Sequence, residues 1–244
     1  MGRYQAEAVV VSVKDWGESD RLVMLFSRDM GKISALAYGA KRPRSQLAGG
    51  MQLFSHVEVS LLPGKVFEQV KQCEIKNSFR NIKEDLSRMA YGMFMLEVLN
   101  ELCPERQPES ELFDKLLAAL TLLGRKNPRL VALAWAWQVL GEMGLSPRLD
   151  YCVFCGKDSE IARFDSRSGG CCCQTCGNEN NMVMINAETI LFLQVLSRLD
   201  WMSPPEFKIT GSTLVQAERL VLDYLIHCLD KPLKSTEFIR QVGR

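Results

Sequence analysis

The spacing of apolar residues changes near residue 80, and this change divides the chain into a strand-rich part and a helical part. Before it, turn-forming residues separate five apolar segments, which span 6–13, 20–27, 32–38, 55–62 and 66–75. In the fourth segment Val57, Val59 and Leu61 alternate with polar residues, which is the period of a half-buried strand. Five antiparallel strands in so short a stretch predict a small barrel of the oligonucleotide-binding (OB) type, with an SH3-like barrel as the structural alternative.

After residue 80 the apolar residues recur with the period of a helix. Asn81 and Glu84 have the spacing of a capping box, so the first helix is expected to begin there. The predicted helices run from Asn81 to Cys103, over 110–124, from Asn127 to Gly144, over Ala187–Leu199 and over Thr213–Leu229. The expected fold is therefore α+β and multidomain: an OB barrel at 1–79 and a C-terminal helical bundle at 80–150 and 181–244, interrupted by a cysteine-rich insertion at 151–180.

Six of the nine cysteines lie in this insertion, and four of them form two Cys-x2-Cys pairs separated by 17 residues. The members of the pairs are Cys152, Cys155, Cys173 and Cys176. This spacing is typical of a zinc ribbon, in which two tight turns present four thiolates to a tetrahedral ion. A site made of four cysteines is closed to water, so we expect one structural zinc ion per chain. Cys172 could replace Cys173 as the third ligand, and the sequence leaves this register open.

The positive charge of the chain is concentrated near the N-terminus. The net charge is only +1, but residues 1–80 carry twelve Lys or Arg against eight Asp or Glu. The candidate nucleic-acid-binding residues in this part are Arg28, Lys32, Tyr38, Lys41, Arg42 and Arg44. In an OB barrel the long loop after the third strand borders a face that binds oligonucleotides, so cations there would contact phosphates while Tyr38 stacks on a base. The alternatives are a solvated loop and a Tyr38 that belongs to the barrel itself.

Other features bear on location and on catalysis. No apolar segment reaches the roughly 20 residues that a membrane span needs, and no export signal is recognisable. We therefore expect a cytoplasmic protein, in which reduced cysteines favour a metal over disulfides or a redox pair. His56 and Glu58 match the H-x-E of zinc deaminases, but they lie on a predicted strand far from the cysteines. With only two histidines, no nucleophile and base can be paired, and we expect no enzyme activity.

The N-terminal part contains three distinctive motifs: G-E-S-D-R-L-V at 17–23, D-M-G-K-I at 29–33 and G-A-K-R-P-R-S at 39–45. In order and spacing they are similar to those of the RecO family of bacterial recombination mediator proteins. The similarity continues through the GG-x-x-C-x-x-C of the ribbon (169–176) and the segment PLKSTEFIRQ at 232–241. It covers essentially the whole chain.

The resemblance implies a function that the residue patterns alone do not. It implies an OB domain, a helical domain and a zinc ribbon, together with binding of single- and double-stranded DNA and annealing of complementary strands. It also implies a location at the nucleoid and action with RecR to place recombinase on strands coated by single-strand binding protein. Contact with the C-terminal tail of that protein would need an apolar groove edged by basic groups in the helical region. The alternative function is that of an OB and zinc-ribbon protein which binds RNA or acts in transcription.

Overall fold

The computed structural model describes residues 2–177 and 182–242. The strands, in chain order, are β1 (Tyr4–Trp16), β2 (Asp20–Ser27), β3 (Gly31–Ala37), β4 (His56–Leu62), β5 (Glu68–Asn77), β6 (Ile161–Asp165), β7 (Gly170–Cys173) and β8 (Val183–Met184). The helices are α1 (Arg80–Lys83), α2 (Leu86–Leu102), α3 (Ser110–Leu123), α4 (Pro128–Glu142), α5 (Ala187–Ser197), α6 (Gly211–Leu229) and α7 (Ser235–Val242).

The first five strands form a closed barrel in the order β1-β2-β3-β5-β4. All neighbours are antiparallel except β3 and β5, which pair in parallel at Ala35 with Glu68 and Leu36 with Gln69. Strand β1 is long enough to pair with β2 along its second half and with β4 along its first half. This order confirms the predicted OB barrel. Small and β-branched residues of alternating positions, among them Ala8, Val23 and Val57, fill its interior.

A segment between α2 and α3 completes the wall where β3 and β5 share only two paired positions. Glu105 forms a bridge with Lys32, and the backbone N–H of Arg106 donates to the Lys32 carbonyl at 3.1 Å. The approach is close at Gly31, where a Cβ atom would lie 2.0 Å from the carbonyl oxygen of Gln107. Only glycine fits at this position, which also has a φ of +66°.

The chain divides into two compact units. The first comprises the described residues up to Pro128 together with those from Ser235 onward, so the barrel shares it with α1, α2, α3 and α7. The predicted boundary at residue 79 follows the change from strand to helix, whereas the compact unit extends further because α2 and α3 pack on the barrel. Within this unit the expected capping box is wrong: the side chain of Asp85 accepts the N–H of Arg88 and begins α2.

The second unit covers Arg129–Lys234 and contains α4, the ribbon, α5 and α6. In α4 every residue from Val131 to Leu140 is buried, so the helix has no solvent-facing side over this stretch. Gln138 in this helix donates to the carbonyls of Leu196 and Leu199, which ties it to the end of α5. The predicted ribbon boundary at 180 and the predicted restart of the helical bundle at 181 lie outside the described residues. Within the described ranges, none of the helices is long and apolar enough to cross a membrane.

Candidate nucleic-acid interface and metal centre

The long connection between β3 and β4 is anchored to the barrel at its C-terminal end. The backbone N–H of Phe54 donates to the Val10 carbonyl, and the N–H of Val10 donates to the Ser55 carbonyl, both at 2.9 Å. Arg21 donates from Nη1 to the Met51 carbonyl at 2.9 Å. The side chains of Met51 and Phe54 are buried. This end of the connection is therefore part of the folded core and not a free loop.

Its N-terminal end is held against the turn between β1 and β2. The Gly39 N–H donates to the Asp20 carboxylate at 2.7 Å, and the Lys41 N–H donates to the Ser19 carbonyl at 2.9 Å. Lys41 also forms an ion pair with Asp15 at 2.8 Å. Arg42 and Arg44 are exposed, and Lys41 is an exposed residue whose side chain, 30% exposed, lies against Asp15. We call these three residues the basic loop.

Arg28, a candidate DNA-binding residue, joins β2 to α3 instead of extending into solvent. Its guanidinium donates to Glu7 at 3.1 Å and pairs with Asp114. The same guanidinium lies 5.0 Å from the centre of the Phe113 ring. Hydrogen bonding to Asp114, although partly opposed by burial, raises the pKa of Arg28. Arg28 therefore has two carboxylate partners within the protein, and its contact with DNA stays a prediction.

Lys32, another candidate, is buried: its residue surface is only 6% exposed. Its Nζ donates to the Asn100 carbonyl at 2.5 Å, in the last turn of α2. Carbonyls in the last helical turn lack intrahelical partners, so a cation there stabilises the helix end. Burial lowers the pKa of Lys32. The residue therefore caps a helix and does not reach the surface on which DNA would lie.

Tyr38 follows the last residue of β3 and is 51% exposed. Ala37, immediately before it, belongs to the barrel core, so the side chain of Tyr38 lies on the outer side of the sheet. The prediction that Tyr38 is available to a base stays a prediction, but its alternative as a core residue is excluded by this exposure. A second exposed aromatic residue of the barrel, Trp16 at the end of β1, was not among the candidates predicted from the sequence. Its position beside the turn signal of Gly17 was the available indication.

The outer face of β2 and β3 is not open along its whole length. Phe26 is buried and its ring lies 6.1 Å from that of Phe113 in α3. The contact between Phe26 and Phe113 and the helix-capping contact of Lys32 together cover the outer face of the barrel near the turn between β2 and β3. The accessible part is the opposite end, where the basic loop and the turn between β1 and β2 lie. The surface of the barrel available to a nucleic acid is therefore limited to this end, which we call the loop-bearing end.

The four paired cysteines of the ribbon lie together in the second unit. The Sγ atoms of Cys152, Cys155, Cys173 and Cys176 are all within 4.8 Å of one another. In each turn a backbone N–H donates back to the first cysteine carbonyl at 2.9 Å, from Gly156 in the first turn and from Gly177 in the second. Gly156 has a φ of +76°, which favours glycine. This geometry would let one metal ion contact all four sulfurs.

The two turns lower the pKa of two thiols of this cluster, those of Cys152 and Cys173. Burial raises the pKa of Cys152, but backbone N–H donors of both turns outweigh it and lower that pKa to about 6. A backbone N–H bond from Cys176 is the main cause that lowers the pKa of Cys173. The pKa of Cys176 is raised to about 12, first by hydrogen bonding with Cys155. Neighbouring thiolates repel one another, so a divalent cation would be needed for all four to ionise together.

The structure shows which of Cys172 and Cys173 belongs to the four-sulfur group. Cys173 Sγ lies 3.7 Å from Cys155 Sγ. Cys172 Sγ contacts the Gly170 carbonyl at 3.8 Å and is not in the four-sulfur group. Burial raises the pKa of Cys172 to about 11 and that of Cys171 to about 12. Both extra thiols are therefore buried and protonated beside the cluster.

Comparison with known proteins places both units in one family. The model for "Recombination protein O N terminal" matches residues 1–79, and that for "Recombination protein O C terminal" matches residues 83–237. Among curated proteins, the DNA repair protein RecO of Symbiobacterium thermophilum is 32% identical over 98% of this chain and 97% of its own length. That of Myxococcus xanthus is 33% identical over 100% of this chain and 99% of its own. That of Desulfitobacterium hafniense is 36% identical over 74% of this chain and 67% of its own. With a closed OB barrel, a helical C-terminal region and a four-cysteine cluster in this order, the chain belongs to the RecO family of DNA repair proteins.

Proposed function

We propose that this protein binds single- and double-stranded DNA at the loop-bearing end of its barrel, anneals complementary strands and helps to load recombinase. The observation that carries the proposal is the basic loop, whose three exposed cations are held at a fixed place by anchors on both sides. It would act in the cytoplasm, at the nucleoid. No chemical step is involved, so the proposal requires no catalytic residue.

Binding of this kind is electrostatic, because phosphates carry charge but no sequence information. Each phosphate contact contributes about −0.7 to the log–log slope of affinity against salt on single strands. Five contacts were available by sequence, but Arg28 and Lys32 are engaged within the protein. The basic loop therefore accounts for a slope of about −2. Cations elsewhere on the barrel would add to this value.

The test is fluorescence anisotropy with labelled oligonucleotides at several salt concentrations. Replacing Lys41, Arg42 and Arg44 by Gln should weaken binding to all sequences alike and flatten the slope by about 2. A control variant with the same change of net charge replaces Lys71, Arg125 and Lys126, which are exposed elsewhere in the first unit. It should retain the wild-type slope. Equal affinity and slope for the loop variant and the wild type would mean that DNA binds at another surface.

Annealing tests the mediator function itself. Complementary strands coated with single-strand binding protein should anneal faster with the wild type than with the basic-loop variant. A competition between single-stranded DNA and RNA of equal length addresses the alternative function, because an RNA-binding protein would prefer the RNA. If the protein binds DNA but does not change the rate at which coated strands anneal, the proposal of DNA binding is retained and the proposal of a mediator function is rejected. RecR is the proposed partner in the subsequent loading of recombinase.

For the acidic tail of single-strand binding protein we propose a groove along α5. Leu191 and Val195, one helical turn apart, are exposed large apolar residues, and Arg198 lines the same groove of about 430 Å³. The apolar residues would receive the tail side chains, and Arg198 would pair with its carboxylate. Asp200 also lines the groove, which requires the carboxylate to lie on the side of Arg198.

This surface can be tested with a labelled tail peptide. Val195→Asp or Arg198→Glu should each weaken binding at least tenfold, which corresponds to about 1.4 kcal/mol. The control is Val215→Asp, since Val215 is an equally exposed apolar residue on α6. If the peptide binds both groove variants as tightly as it binds the wild type, this groove is not the binding site of the tail. Peptide binding does not require DNA, so its result is independent of the barrel.

Zinc is the metal that best fits the four thiolates, and we propose one structural ion per chain. Cys152, Cys155, Cys173 and Cys176 would hold it. When bound, such an ion supplies charge neutralisation for the thiolates and a cross-link between the two turns. Four protein ligands leave no position for water, which supports a structural role.

A further inference from the structure

Two exposed aromatic residues lie in one row across the accessible end of the barrel. Trp16 of β1 pairs with Asp20 of β2, and Arg21 of β2 pairs with Ala37 of β3. Tyr38 therefore follows at the level of Asp20, two strands from Trp16. Because cross-strand neighbours point to the same side of a sheet, both rings lie on the outer face. Two strand spacings of about 4.8 Å place their backbones roughly 10 Å apart.

The Trp16 ring is supported from one side. Phe67, in the turn between β4 and β5, contacts it edge to face with 5.7 Å between ring centres. Trp16 nevertheless remains 45% exposed, so much of the indole is free of protein contacts. A tryptophan fixed by a neighbouring ring loses little side-chain freedom when a ligand binds to it. This arrangement is that of a fixed platform with an open apolar side.

Cations flank the platform, although Asp20 lies between Trp16 and Tyr38 in the same row, where its carboxylate accepts the Gly39 N–H at 2.7 Å. The basic loop follows Tyr38 directly, and Lys41 reaches back to Asp15, the residue before Trp16. Lys14 is exposed two positions earlier on the same strand and therefore on the same outer side as Trp16. Lys65 is exposed in the turn that carries Phe67. A flat apolar surface with cations near both of its rings matches a nucleic-acid strand, whose bases stack while its phosphates meet positive charge.

We infer that Trp16 stacks on an unpaired base and makes this end of the barrel prefer single-stranded over double-stranded DNA. The inference rests on the proposed DNA binding and adds the residue that sets strand preference. In a duplex the bases are stacked on one another and do not present a face to a ring on the protein surface. Duplex DNA would therefore meet only the cations, whereas a single strand would meet both the cations and Trp16.

The experiment compares Trp16→Ala with the wild type on a single strand and on a duplex of the same length. Affinity for the single strand should fall about tenfold to a hundredfold, and affinity for the duplex should stay within about twofold. The salt slope should not change, because no charge is removed. Trp16→Phe should keep most of the single-strand affinity. Met30→Ala, at the turn between β2 and β3, is a control for the loss of an exposed apolar side chain and should have no effect on either ligand.

A second measurement does not depend on a substitution. Irradiation of the wild type with an oligonucleotide that carries 5-iodouracil should cross-link Trp16, identified by mass spectrometry of the peptides. If Trp16→Ala unfolds, this cross-link decides the question: its absence from Trp16 overturns the inference. Equal losses on single strand and duplex, or no loss on either, also overturn it. Each of these results leaves the proposed function intact, provided that the wild type binds DNA with a salt slope that depends on the basic loop. If the wild type binds no DNA, the proposed function itself fails.

Discussion

Gly92 of α2 lies directly beneath the ring of Phe54, at the end of the connection that carries the basic loop. A Cβ atom on Gly92 would lie 2.8 Å from the Phe54 ring and 3.2 Å from Leu123 of α3. Phe54 itself has a φ of +70°, an uncommon conformation for a large side chain, and is buried. The close approach of helix and ring thus fixes the C-terminal anchor of the connection between β3 and β4.

Gly92→Ala should destabilise the protein although alanine is the better helix former. Insertion of a methyl group into this contact must displace the Phe54 ring, and overpacking of this kind costs about 1–3 kcal/mol. The gain in helix propensity is at most about 1 kcal/mol. Urea unfolding measures the difference. Gly124→Ala is the matched control, because a Cβ there meets only ordinary contacts of 3.5 Å or more, and it should be neutral or stabilising. Equal stability of the two variants would contradict the contact.

Lys32→Met should affect stability and not DNA binding. The substitution leaves the Asn100 carbonyl without the ammonium that caps α2, and a hydrogen bond to a charged group contributes about 1.5–3 kcal/mol. Removal of a buried charge offsets part of this, so we expect a net loss of about 1–2 kcal/mol in urea unfolding. Anisotropy should give the wild-type affinity and salt slope. A flatter slope with unchanged stability would return Lys32 to the DNA surface. Lys71→Met, at an exposed position, provides the control.

Glu7 predicts a dependence of stability on pH. Burial raises its pKa, but contacts with His56, Lys76 and Arg28 outweigh this and hold the pKa below the ordinary value of 4.5. A carboxyl group with a lowered pKa in the folded state stabilises the fold above its unfolded pKa, and this contribution is lost as the pH falls through its folded pKa.

Glu7→Gln should therefore be less stable than the wild type near neutral pH, by about 1–2 kcal/mol, and the difference should narrow from about pH 5 to about pH 3. Urea unfolding over this range is the measurement. Glu58→Gln removes a carboxylate that pairs with Lys76 alone, at 3.1 Å, and should show a smaller difference throughout. If the difference in unfolding free energy between the wild type and Glu7→Gln stays constant with pH, the charge of Glu7 does not contribute to stability.

Metal content distinguishes the cysteines of the ribbon. Wild-type protein purified without chelators should carry one zinc per chain by elemental analysis. Cys176→Ser should lose it and expose the ribbon to proteolysis, since metal binding in such sites supplies roughly 10 kcal/mol of folding free energy. Cys172→Ser should keep the metal, because Cys172 is outside the four-sulfur group. Loss of metal from Cys172→Ser with retention in Cys173→Ser would reverse this assignment.

The sequence by itself determined the barrel strands, the longer helices and the metal motif, but it did not indicate α1 or α7. Alternation of apolar and polar residues along β4 is a local property, and so is the Cys-x2-Cys-Gly pattern of each turn of the ribbon. Residues a few positions apart on one strand or one turn keep their spatial relation whatever the rest of the chain does. The start of α2 was missed for the converse reason: Asn81 and Asp85 offer similar local signals, and only the packed structure selects Asp85.

The tertiary structure decided which of the candidate residues are available to a ligand. Arg28 and Lys32 do not differ in charge from the members of the basic loop, yet their partners Asp114 and Asn100 lie 86 and 68 residues away in sequence. The pairing of β1, β2 and β3 likewise placed Trp16 in one row with Tyr38. A side chain's burial and partners depend on segments that meet only in the folded chain, so composition shows how many charges exist but not which remain exposed.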